Sequence, residues 1–104
     1  MRDIGKMMKQ VQKLQAEVAR VQEEMKTERV EAGSGGGVVR AVANLRGDIQ
    51  EITIDPAAVD PSDVGMLQDL ILAALTEVQR EARSKAEEKM RAVTGGLPLP
   101  PGLV

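Results

Sequence analysis

The side chains able to do chemistry in this 104-residue chain are lysines, arginines and carboxylates, because histidine, cysteine and aromatic residues are all absent. Without histidine the commonest general base and metal ligand are missing. Without cysteine there is no thiolate nucleophile, disulfide or thiolate metal site. The carboxylates Asp48, Glu51, Asp55, Asp60 and Asp63 fall close together in sequence. Acid–base pairs or a magnesium site use such groups, but no supporting motif accompanies them, and their positions suit turns and helix caps. Gly33-Ser34-Gly35-Gly36-Gly37 lacks the Lys-Ser/Thr of a phosphate-binding loop and has no helix start behind it, so it reads as a hairpin loop. No catalytic set, metal site, cofactor or small-molecule substrate is expected, and the chain is not expected to be an enzyme.

The basic residues are distributed unevenly. Residues 1–13 carry a net charge of +3, residues 79–104 carry +2, and residues 14–78 carry −7, for an overall charge of −2. Local patches, not the total, decide whether a polyanion is attracted. Single-stranded nucleic acid and unpaired RNA are commonly held by stacking bases on aromatic rings. This chain has none, so any nucleic acid it binds is expected to be a duplex, read through phosphates and shape.

Two sets of cations stand out. Ile4, Met7, Val11, Leu14, Val18, Val21 and Met25 form an unbroken a/d heptad pattern. Against that register Lys6, Lys13 and Arg20 occupy position c, with Arg2 and Lys9 beside them at f. An ordinary solvated helix face has similar charges, but the lack of acidic residues on this face before Glu23 favours a stripe that follows a phosphate backbone. The second set is Arg80, Arg83, Lys85, Lys89 and Arg91. Glu81 to Lys85 and Glu87 to Arg91 are i,i+4 pairs that support a helix by themselves, so a DNA-binding role for this set rests on its sharing an arm with the first.

The elements that position these residues follow from patterning. A first helix is predicted from about Arg2 to about Lys26. Thr27–Ala32, Val38–Leu45 and Asp48–Ile54 read as strands of a three-stranded antiparallel meander. Val39, Ala41, Ala43 and Leu45 line one face of the middle strand, and Ile52 and Ile54 one face of the last. Asp60 is the expected N-cap and Pro61 the first residue of a second helix that ends at about Thr94, before Gly95-Gly96. That helix would be about 50 Å long and must project from its own small domain. Its segment Leu70-Ile71-Leu72-Ala73-Ala74-Leu75 is apolar all round, so a partner chain is expected to cover it. The fold class is therefore α+β, with residues 1–96 as one domain and 97–104 as a flexible proline-rich tail. Leu70–Leu75 is too short to span a bilayer, and no signal-peptide pattern opens the chain. The cytoplasm is the expected compartment, with no membrane partner.

Six short segments, in order, resemble the YbaB/EbfC nucleoid-associated proteins. They are Met7-Met8-Lys9-Gln10-Val11-Gln12-Lys13-Leu14-Gln15, Gly35 to Arg40, Ile52-Thr53-Ile54-Asp55-Pro56, Asp69 to Leu75, Glu88-Lys89-Met90, and Gly96-Leu97-Pro98-Leu99-Pro100-Pro101-Gly102. The family's usual Asn after the apolar run is Thr76 here, and its frequent aromatics are missing. The resemblance implies a homodimer with protruding helices, likened to tweezers, that binds double-stranded DNA with limited sequence preference. It also implies a place in the nucleoid and a part in its organisation, with gene regulation or repair as further roles. Carried onto this chain, the DNA-contacting arms are Arg2, Lys6, Lys9 and Lys13, with the end of the second helix. Leu70, Ile71, Leu72, Ala74 and Leu75 are the first candidates for the dimer interface, although the heptad seam of the first helix is open to the same role. The alternative is a structural adaptor whose coiled-coil-like helices bind another protein.

Overall fold

The heptad spacing of the first segment and the alternating pattern of the middle one both fold as their periods require. The computed structural model describes residues 3–95. Helix α1 (Ile4–Thr27) leads into strands β1 (Arg29–Ser34), β2 (Val39–Asn44) and β3 (Ile49–Ile54), a 3₁₀ turn at Pro56–Ala58, and helix α2 (Val64–Thr94). The sheet is an antiparallel meander in the order β1-β2-β3.

Strand β2 is the centre of the core. Val39, Ala41 and Ala43 are completely covered, because small and β-branched side chains on that face allow a helix to lie close. The helix is α2, which contributes the fully buried Ala74, Val78 and Ala82 at i, i+4 and i+8. Leu67, Leu70, Ile71 and Leu75 pack around this cluster. The Ser34 hydroxyl donates to the Leu70 carbonyl at 2.6 Å and joins the end of β1 to the same helix. The turn between β1 and β2 passes close beneath α2. A Cβ on Gly35 would lie 2.8 Å from both Leu70 Cδ2 and Val38 Cγ2, and its φ of +59° is left-handed, so glycine is required there.

A bulge shifts the β2–β3 register: Val42 faces Glu51, but Ala43 faces Ile49. The extra residue, Gln50, puts Ile49 on the same face as Ile52 and Ile54. Helix α2 covers β1 and β2 more than β3, so Ile49 and Ile52 remain exposed and Ile54 half-buried. The Gln79 side chain donates to the Gly47 carbonyl and ties α2 to the β2–β3 turn.

A second cluster joins the helices. Val21, Met25 and Leu45 are buried, with Ala86, Met90 and Val93 packed against them. Asn44 secures this junction. Its amide donates to the Lys26 carbonyl at 3.2 Å and to Asp48 Oδ2 at 3.0 Å, while its Oδ1 accepts from the backbone N–H groups of Arg46 and Asp48. This buried side chain is fully satisfied, as burial demands.

The expected start of the second helix is corrected. Asp63, not Asp60, caps α2 by accepting from the Met66 N–H. Asp60 instead accepts from the backbone and hydroxyl of Ser62, closing a turn in which Pro61 precedes the helix. Two carboxylates three residues apart offered the same cap, and Pro61 suits a turn as well as a first helical turn. The short turn at Pro56–Ala58, capped by Asp55, was not anticipated. Ala74, expected among the interface residues, is fully buried in the core cluster of its own chain. Small residues let helix and sheet approach closely, so one sheet covers more of the apolar run than its length suggests.

Candidate nucleic-acid interface

The second half of α2 leaves the sheet and runs beside α1, and the described residues together measure 74 × 20 × 19 Å. Their radius of gyration, 19.5 Å, well exceeds the ~13 Å of a compact domain of this size. The excess length is an arm. Its base is the pair of helices, joined by Val21, Met25, Met90 and Val93. Its tip is the first half of α1, where residues 3–13 are exposed on every side.

Lys6, Lys9 and Lys13 lie on that tip, and none of them forms an ion pair among the described residues. From Lys6 to Lys13 the stripe runs about 10 Å along the axis. At 100° per residue it faces away from Ile4, Met7 and Val11. Arg2 lies outside the described residues.

Arg20 belongs to the same face but not to the same electrostatic situation. Its guanidinium donates to Glu17 Oε2 at 2.8 Å and to Glu24. The hydrogen bond to Glu17 raises the arginine above its ordinary range and holds the Glu17 carboxyl below its own. Lys89 is similarly committed. Its ammonium reaches Glu28 at 2.6 Å and Glu24 at 3.0 Å. These bonds raise Lys89, and the one to Glu24 keeps that carboxyl low. This trio clamps α1 to α2. Arg80 pairs with Glu77 at 3.2 Å.

Of the second cation set, Arg83, Lys85 and Arg91 are exposed and without an ion pair among the described residues. Lys85 lies on a flank with Glu81, Glu88 and Arg29. Arg83 lies on another, where it lines a shallow cleft with Arg46, Gly47 and Gln79. Arg46 is a cation that sequence patterning missed: it reads only as a turn residue. The hairpin carries it back to the base of the arm, and only the β2–β3 register reveals that return.

The residues expected at a dimer interface divide. Leu72 is 65% exposed. Leu70, Ile71 and Leu75 are half-buried, with Ile71 and Leu75 packed against the same cluster as Ile54 of β3. Among the described residues no cluster of carboxylates is arranged to hold a metal ion, and no helix is long and apolar enough to cross a membrane.

The fold resembles that of an uncharacterized protein from Helicobacter pylori, with a TM-score of 0.76 and 19% identity, covering 89% of this chain and 98% of that one. Sequence relatives extend along nearly the whole chain. A nucleoid-associated protein of Acetivibrio thermocellus is 52% identical over 97% of this chain and 89% of its own length. One from Moorella thermoacetica is 53% identical, covering 96% of each chain. Residues 1–97 match the model of the YbaB/EbfC DNA-binding family, and with a free lysine stripe on a protruding helix the chain belongs to that family.

Proposed function

We propose that the protein acts as a homodimer in the nucleoid, gripping double-stranded DNA with its helical arms and contributing to nucleoid organisation. The observation that carries this reading is the unpaired state of Lys6, Lys9 and Lys13 on a helix exposed on every side. An ammonium already held by a carboxylate has less to gain from a phosphate, whereas a free one releases condensed counterions when it binds. Arg83, Lys85 and Arg91 extend the surface along the arm, and Arg46 adds a contact at its base. Arg20, Arg80 and Lys89 serve chiefly to stiffen it. The set contains no side chains arranged to read base edges, so positioning on phosphates and duplex shape governs binding.

The dimer reading rests on apolar surface. Ile49 and Ile52 are exposed on the part of the sheet that α2 leaves open, and Val64, Met66 and Leu72 are exposed at the start and in the first half of α2. Large apolar side chains left in solvent in this number are consistent with an association surface. Two copies joined there would each contribute one arm.

Binding to a short random duplex across a salt series tests the reading, with wild type compared to Lys6→Glu/Lys9→Glu/Lys13→Glu. Wild-type affinity is expected to fall steeply with salt, and the triple variant to lose at least about a hundred-fold at low salt. Absence of wild-type binding at low salt, with the dimer intact by sedimentation, overturns it.

A further inference from the structure

The same helix that carries the lysine stripe carries an apolar stripe with nothing on it. Ile4, Met7, Met8 and Val11 are each more than half exposed and, with Gln12 and Gln15, line a continuous groove. Further along the same heptad pattern, Val18, Val21 and Met25 are buried. Coverage stops between Val18 and Val11, where α2 reaches its end at Thr94, itself buried.

We propose that residues 96–104 of the same chain dock along this open stripe. Gly95, the last described residue before them, follows the end of α2, whose Val93 packs against the cluster of Val21 and Met25 on α1. Their composition fits an apolar seat: Gly96-Leu97-Pro98-Leu99-Pro100-Pro101-Gly102-Leu103-Val104 has no charged side chain. Three prolines favour a polyproline II path, whose three-residue turn aligns Leu97, Pro100 and Leu103 on one side. Nine residues on that path reach about 28 Å. The stripe from Ile4 to Leu14 needs only about 15 Å.

A second copy of the arm is a poorer occupant. The open stripe holds fewer than the three to four heptads that sustain a coiled coil, and each copy brings Lys6, Lys9 and Lys13 into mutual repulsion. A tethered segment instead acts at an effective concentration of roughly millimolar. The docked tail hides the apolar side of the tip and leaves the lysine side free, so this inference stands whether or not those lysines hold DNA.

The chain lacks cysteine and tryptophan, which permits a clean contact probe in the full-length protein. Met7→Cys is labelled with bimane, whose fluorescence tryptophan quenches on contact, and is combined with Leu99→Trp. The Met7 label is expected to lose most of its intensity, independently of dilution, while a label at Gln50→Cys on the sheet keeps its own. Adding Leu97→Asp/Leu103→Asp to the Met7→Cys/Leu99→Trp chain should restore the Met7 signal. Unchanged Met7 fluorescence in the presence of the tryptophan overturns the proposal. So does equally strong quenching of labelled chains without tryptophan once they are mixed with unlabelled Leu99→Trp chains, since that makes a second copy the occupant.

Discussion

The two halves of α1 share one sequence pattern and meet opposite fates. From Leu14 onward the a/d positions are progressively covered, until Val18 and Val21 are at most 5% exposed. Before Leu14 the same positions stand in solvent, with Met7 at 61%. The outer faces differ as sharply: Arg20 is bound by two carboxylates, while Lys6, Lys9 and Lys13 have no carboxylate partner among the described residues. A heptad pattern therefore specifies a face that can be buried, but the reach of a neighbouring element decides which part of it is. One half of the helix is architecture and the other is available surface.

Substitution at equivalent apolar positions separates the halves most strongly. Met25→Ala should cost about 2–4 kcal/mol in denaturant unfolding, because it opens a cavity among Val21, Leu45 and Met90. Met7→Ala should cost less than about 0.5 kcal/mol. Equal costs would mean that the two halves are covered alike. The outer face gives a smaller contrast, read as the salt dependence of duplex binding. Lys9→Gln should reduce the slope of log K against log salt by about 1. Arg20→Gln should change it far less, because Glu17 and Glu24 already answer that charge.

The smallest effect concerns the clamp between the helices. Glu24 is held below its ordinary value of 4.5, so the stability it adds is present above that pH and is lost as pH falls through the lowered value. Lys89 is held above 10.5, so its contribution is present below that pH and lost only as pH climbs through the raised value. Thermal unfolding of Lys89→Met should accordingly show a shallower acid-side decline than wild type. An identical acid profile would remove Glu24–Lys89 as a clamp.

Most of the fold is written in local periodicity. The seven a/d residues define α1, and the alternation Val39-Ala41-Ala43-Leu45 defines the buried side of β2 without any knowledge of partners. Boundaries were less legible where two residues could do one job, as with Asp60 and Asp63. The bulge at Gln50 leaves no local signal, since it depends on how β3 matches β2 across a turn. The candidate interface was legible as a list of cations but not as a set of free ones. Lys89 pairs with Glu24 and Glu28 across 65 and 61 residues of chain, a separation that no helical spacing rule covers. Arg46 was missed for the converse reason, because its neighbour Arg83 comes from another element.

Helix α2 contains no proline and no glycine after Gly65, so it passes from sheet to arm without a hinge. Mechanically it is a cantilever. Ala74, Val78 and Ala82 fix its root, and the load falls on the far end. From Ala82 to Thr94 the beam extends about 18 Å, so a tilt of about 5° at the root displaces its end by about 1.6 Å. The position of the beam's far end is therefore set by side-chain volumes where its root meets the sheet. Enlarging one alanine at the root would shift the far end of the arm without touching a single charge.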